Sequence, residues 1–142
     1  YENLEYISVL KNAGGEDIPG LISRFELQDV LGEPVSRLKA GVYQRLSLAC
    51  AFLNSPQILI ADDLINDLDP YSQNIILREL NSFTSGGGAC VWGFSRIEWC
   101  AAVSRVCWLE DGLLSLYSSQ EAQELWGNRL RLIEVQSGER DA

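Results

Sequence analysis

The sequence predicts an α/β fold, a mostly parallel sheet with helices on its faces and a helical subdomain, on three observations. Short apolar runs suited to strands, Gln57 to Ala61, Ala89 to Gly93 and Arg105 to Leu109, are separated by stretches of helical periodicity, Ser72 to Phe83 and Ile97 to Ser104. The first run, Ile58-Leu59-Ile60-Ala61, is continuous, as a central parallel strand covered on both faces would be. It ends in two adjacent carboxylates, Asp62 and Asp63, and ligands bind beyond the carboxyl ends of such strands.

Taken in order, Glu2 to Leu10 carries Leu4, Ile7 and Leu10 at helical spacing. Asn12 to Gly20 is rich in turn formers and reads as a loop, and Leu21 to Leu31 reads as a helix with Leu21, Ile22, Phe25, Val30 and Leu31 on one face, stopped by Gly32 and Pro34. Gly41 to Asn54 is the next helix, with Val42, Leu46, Ala49 and Leu53 in register, and Pro56 starts the first strand. After the helix at Ser72 to Phe83, Thr84 to Gly88 is a flexible stop. Leu113 to Tyr117 pairs back on Arg105 to Leu109 across a turn at Glu110-Asp111-Gly112. Ser119 to Trp126 is a helix capped by Ser118 or Ser119, and Leu130 to Gln136 alternates like a half-exposed strand. The division expected is 1–56, helical; 57–117, the strand-bearing core; and 118–142, a C-terminal extension.

A chain of 142 residues suffices for one core that buries about two-thirds of the unfolded surface. No apolar run approaches the roughly 20 residues needed to span a bilayer. A formal charge of −9 without a Lys/Arg cluster argues against nucleic acid as the main ligand. Cys50, Cys90, Cys100 and Cys107 have no CxxC spacing and the chain has no His, which removes the common mixed zinc sites; four buried thiols in a reducing cytoplasm are expected. Tyr1 is not a natural initiator, so a longer or processed parent is expected.

The stretch from Val35 to Pro70 resembles the second half of an ATP-binding cassette (ABC) ATPase, the motor subunit of ABC transporters. Leu38-Lys39-Ala40-Gly41-Val42, followed by Tyr43 to Ala49, stands where the family has its LSGGQ signature and a basic, alanine-rich helix. Ile58 to Asp63 stands for the Walker B strand, and Asn66-Asp67-Leu68-Asp69-Pro70 looks like the D-loop, all at the family's spacing and continuing without a gap to Arg105-Val106 and Asp111-Gly112. The resemblance implies a P-loop NTPase-like fold, of which this chain carries part of the domain, and the cofactors ATP and Mg²⁺. It implies that Asp62 holds the metal through water, that Asp63 occupies the catalytic carboxylate position, and that Leu38, Lys39, Ala40, Gly41, Asp69 and Ser95 lie on the nucleotide. The implied partners are a second ABC ATPase subunit, the same or different, and a transmembrane permease, with the chain peripheral on the cytoplasmic face of the membrane.

Several positions depart from the family. Asp63 is one methylene shorter than the usual Glu, so its carboxylate falls about 1.5 Å short of the water it would orient. Lys39 replaces the signature serine, either donating to a phosphate as a cation or standing as a solvated residue that disfavours the helix end, and Ala40 replaces its first glycine; Leu64 replaces a proline and Asp67 a small residue. Phe94 falls where the family carries its switch histidine and cannot hydrogen-bond a phosphate, which leaves Ser95 as the nearby hydroxyl. No GxxxxGK[ST] occurs, and the glycines at 86 to 88 precede a strand instead of following one. The expectation is therefore an ABC ATPase portion that does not hydrolyse ATP alone and that covers its open sheet edge by self-association. Two other classes remain open: a noncatalytic assembly module, and an unrelated Mg²⁺-dependent hydrolase using Asp62, Asp63 and Asp69.

Overall fold

The computed structural model describes residues 1–13 and 17–138, with side chains as far as Arg129. It contains two compact units, Tyr1–Gly93 and Phe94–Ala142. The first holds helices α1 (Glu2–Leu10), α2 (Asp17–Arg24), α3 (Ala40–Phe52) and α4 (Pro70–Ser85) with strands β1 (Ile58–Asp62) and β2 (Ala89–Gly93). The second holds a 3₁₀ turn at Ile97–Ala102, the hairpin strands β3 (Arg105–Glu110) and β4 (Leu113–Ser118), and helix α5 (Ser119–Gly138).

In the first unit, α4 is the crossover that makes β1 and β2 parallel neighbours, with Asp62 level with Gly93. Asp69 starts α4 as its N-cap and Pro70 follows at the first helical position, where a missing N–H costs nothing. Phe25, Leu4, Ile18, Leu27, Leu53, Ile65 and Ile76 are the largest fully buried apolar side chains of the unit. The Phe52 ring lies 5.7 Å from Phe25 and 5.1 Å from Phe83, joining α3 to α4 and to the turn after α2. Lys11 donates to the Cys50 and Ala51 carbonyls at 2.9 and 3.0 Å, so a cation from the end of α1 caps the C-terminus of α3.

The second unit is built on Cys100, Val106 and Ala122, with Phe94, Ile97, Val103 and Tyr117 packed around them. A capping box opens α5: Ser118 donates its N–H and hydroxyl to Glu121, each at 2.8 Å, and Glu121 N–H returns a bond to the Ser118 hydroxyl. The predicted serine cap is therefore correct.

Six expectations are revised. The loop expected over Asn12 to Gly20 is shorter, because α2 already begins at Asp17; residues 14–16 lie outside the described set. Pro19 falls in the first helical turn, where proline is tolerated, and Ile18, Leu21 and Ile22 supply the buried face. The helix expected to run on to Leu31 instead stops at Arg24, Glu26 adopts φ 52°, and only a 3₁₀ turn follows at Gln28–Val30. Phe25 and Leu27 are both in the core, and two positions two apart on an α-helix face nearly opposite ways, so burying both requires the break.

The first strand is not covered on both faces by this chain. Leu59 is buried, whereas Ile58 and Ile60 are 65% and 79% exposed and Val91 beside them is 61% exposed. The third strand, β3, pairs antiparallel with β4, and no ladder joins it to β1 or β2 among the described residues. The strand expected at Leu130 to Gln136 is the continuation of α5, although its side chains lie outside the described set. Of the four thiols only Cys100 is buried; Cys50 and Cys90 are half-buried and Cys107 is exposed, because it sits on the outer face of the hairpin beside exposed Leu109, Leu114 and Leu116. No helix among the described residues is long and apolar enough to cross a membrane.

Candidate functional site

The carboxyl ends of β1 and β2 present the acid pair. Asp62 ends β1 opposite Gly93, and a Cβ on Gly93 would come within 2.6 Å of the Asp62 Oδ1, so the missing side chain is what lets this carboxylate lie across the neighbouring strand. Asp63 donates its backbone N–H to the Gly93 carbonyl at 2.9 Å, carrying the ladder one residue past the strands. It then turns away at φ 46°, in the left-handed region that Asp tolerates better than most residues. Its Oδ1 accepts the Asn66 amide at 2.6 Å. Both carboxylates are exposed, while Leu64 and Ile65 point inward at 5% and 0% exposure, which accounts for a leucine where a proline was the family norm.

The loop from Asn66 to Asp69 is held from behind by Gln73, which donates to the Ile65 carbonyl at 3.1 Å. Asp67 sits at φ 57° and is exposed. Asp69 accepts the Ser72 N–H at 2.9 Å; that bond first, and the Ser72 hydroxyl second, hold its carboxyl below the usual carboxylate range. Here the cap of α4 meets the start of α3. A Cβ on Gly41 would collide with Asp69 Oδ2 and Ser72 Oγ and lie 2.7 Å from Ser72 Cβ, so the two helix N-termini touch through a glycine.

Leu38 is half-buried and extended, and Lys39 is the N-cap of α3 with φ −65° and ψ 152°, its side chain making no cap. The Lys39 carbonyl accepts the Tyr43 N–H at 2.9 Å, and Ala40 is the first, exposed, helical residue. One turn on, Arg45 is buried at 6% exposure and donates to the Phe25 and Glu26 carbonyls. Phe94 packs in the core of the second unit, and the exposed Ser95 follows it there.

The structure thus brings Gly41 to Asp69, and Asp62 and Asp63 to Gly93, all in the first unit; Ser95 belongs to the second. Sequence reasoning missed Gly93, Asn66 and Ser72. The signal for Ser72 was present as Asp69-Pro70-x-Ser, an acid before a helix-opening proline, whereas the contacts of Gly93 and Asn66 depend on pairing across the sheet and on a left-handed turn. No three His, Cys, Asp or Glu side chains converge on a common point among the described residues. The donor set fits Mg²⁺ as a single exposed carboxylate, since that ion keeps several waters and takes substrate phosphate oxygens beside one or two protein ligands.

No protein-family model matches the chain. Over 98 residues it is 34% identical to a Nod factor export ATP-binding protein I from Sinorhizobium fredii, which covers 68% of this chain and 29% of that protein. It is 30% identical over 87 residues to the lantibiotic transport ATP-binding protein SrtF of Streptococcus pyogenes, covering 61% of this chain and 38% of the relative. The chain therefore spans about a third of the length of these relatives. A solved structure described as the ATP binding subunit of an ABC transporter superposes with a TM-score of 0.73 at 19% identity, over 95% of this chain and 60% of that one, a likeness of fold.

Proposed function

Because the chain belongs to the ATP-binding proteins of ABC transporters, we propose that it supplies part of a composite ATP site that couples ATP binding and hydrolysis to transport across a membrane, and that it does not hydrolyse ATP alone. The observation that carries this reading is the acid pair at the ends of two parallel strands, in the same unit as the Gly41–Asp69 junction of two helix N-termini. Residues 1–56 act as the signature subdomain, 57–117 as the core and 118–142 as an extension.

Asp62 would hold Mg²⁺ through water, and the ion would supply charge neutralisation on the phosphates. Lys39, Leu38 and the backbone N–H groups of Ala40 and Gly41, at the positive end of a 13-residue helix, face the phosphate of a nucleotide carried by the partner subunit. Asp69 fixes the start of α4 against that turn. Asp63 is a weak base for water attack: it is short by a methylene, and Asn66 already occupies one of its oxygens.

In a longer form that supplies a Walker A loop, Asp63→Ala is expected to leave Mg-ATP affinity within about twofold, because a group acting on water gains its interaction in the transition state. Asp62→Ala should weaken binding. Loss of a metal-dependent phosphate-ester hydrolysis by this chain in Asp63→Ala would instead favour the independent hydrolase. A noncatalytic assembly role is the second reading, favoured by Phe94 serving as core packing where a phosphate contact would be needed.

The partners in this reading are a second ATP-binding subunit and a membrane permease, which would place the chain on the cytoplasmic face of the membrane; nucleic acid is not among them. The isolated chain should self-associate through its bare β1–β2 face and strand edges. Sedimentation velocity at low micromolar concentration should show oligomers that grow with added salt as the charge of −9 is screened. A single, salt-independent monomer would contradict this.

A further inference from the structure

Helix α3 touches the first turn of α4 twice, one helical turn apart. Gly41 lies against Asp69 and Ser72, and Arg45 places its guanidinium 5.7 Å from the centre of the Tyr71 ring. Arg45 also reaches the exit turn of α2, donating to the Phe25 carbonyl at 2.8 Å and the Glu26 carbonyl at 2.9 Å. A second guanidinium serves the same turn: Arg78 donates to the Arg24 carbonyl at 2.7 Å. The carbonyls of Arg24, which ends α2, and of Phe25 and Glu26 in its exit turn are thus capped by arginines from α3 and α4.

The side chain of Glu26 closes the set. With its backbone at φ 52°, its carboxylate accepts the Tyr71 hydroxyl and pairs with Arg78 at 3.3 Å. Beneath it, Glu79, only 5% exposed, binds Arg24 at 2.7 Å and Arg78 at 3.1 Å. The two halves of this cluster differ in access to water. Glu79 is sealed, whereas Tyr71 is 62% exposed and the Glu26 side chain is 35% exposed.

We propose that this cluster is a conformational latch, with the Tyr71–Glu26 bond as its solvent-reachable release point. Closed, it holds the exit turn of α2, the signature turn of α3 and the Asp69 cap of α4 as one body. Opened, it frees the exit turn while the α3–α4 packing persists. Tyr71 and Glu26 act as positioning residues: they steady Arg45, and Arg45 steadies the helix that bears Gly41. Only a consequence for nucleotide, through the helix that bears Gly41, rests on the ATP-site reading; the latch itself does not.

Amide hydrogen exchange on the full chain tests the latch without nucleotide. Tyr71→Phe keeps the ring under Arg45 and removes only the hydroxyl, and Glu26→Gln keeps an acceptor for that hydroxyl while removing the charge that pairs with Arg78. In Tyr71→Phe the amides of Glu26 and Leu27, bonded to the Ser23 and Ile22 carbonyls, should lose protection about tenfold, while those of Ile76 and Leu80 inside α4 keep theirs. Glu26→Gln should show the same split with a smaller loss. Unchanged protection at Glu26 and Leu27, or a uniform fall at every amide, would overturn the proposal. Failure of the chain family's ATP site would appear in a nucleotide titration and leave the exchange result untouched.

Discussion

Gly41→Ala should lower the stability of the first unit by about 2 kcal/mol, read as a fall in the urea midpoint with unchanged slope. The added methyl has to enter the space of the Asp69 carboxylate and the Ser72 hydroxyl, with Ser72 Cβ 2.7 Å away. Those atoms cannot simply swing aside, because Asp69 is fixed by its bond to the Ser72 N–H and gives up an N-cap worth about 1 kcal/mol if it moves. The helix-forming advantage of alanine over glycine, up to about 1 kcal/mol, offsets only part of the overpacking. A neutral Gly41→Ala would mean that the two helix N-termini are not in contact. A double variant with Ser72→Ala removes one of the clashing atoms and should recover part of the loss, which separates crowding from a general intolerance of change at this turn.

Arg45→Met should cost more, about 3 kcal/mol. It leaves the Phe25 and Glu26 carbonyls without their donor in a region that water reaches poorly, and each unsatisfied buried acceptor costs about 1 to 3 kcal/mol. The methionine fills much of the volume of the arginine stem, so the loss reports the capped carbonyls more than a cavity. Arg45→Lys should recover less than half of it, because a single ammonium lacks the planar fork that lies over Tyr71 while one of its nitrogens, Nη1, donates to both carbonyls. Thermal melts of the three proteins check the order native, Lys, Met. A Lys variant as stable as the native chain would show that charge alone, and not the fork, holds this turn.

Much of the fold was legible from local pattern. The acid pair at the end of β1, the bounds of β2 and the hairpin of β3 with β4 follow from apolar runs and turn residues that lie within a few positions of one another. The start of α2 was hidden because Pro19 and Gly20 read as loop formers, although a proline in the first helical turn breaks no bond. Its early end was hidden because the carbonyls of residues 24 to 26 are satisfied by arginines that lie 19 to 54 positions away in the sequence. The alternation at Leu130 to Gln136 suggested a strand where the backbone continues as α5, a case of a short run fitting two periods.

The candidate site divides the same way. Asp62, Asp63, Gly41 and Asp69 were visible as motif positions, but what each touches was not. That Gly41 meets Asp69 and that Asn66 engages Asp63 are consequences of helix packing and of left-handed turns at Asp63 and Asp67. The exposed face of Ile58, Ile60 and Val91 could not be read from the strand either, since a continuous apolar run is equally consistent with a covered face and a bare one.

The most direct measurement is Mg-ATP titration calorimetry on this chain and, in parallel, on a longer form that supplies a Walker A loop. Binding by the longer form alone is the predicted result, because the signature turn and the acid pair then serve a phosphate cradle that this sequence lacks. Binding by the short chain alone would contradict the account of its site as one part of a composite, and binding by neither would make the assembly role the function of the fold.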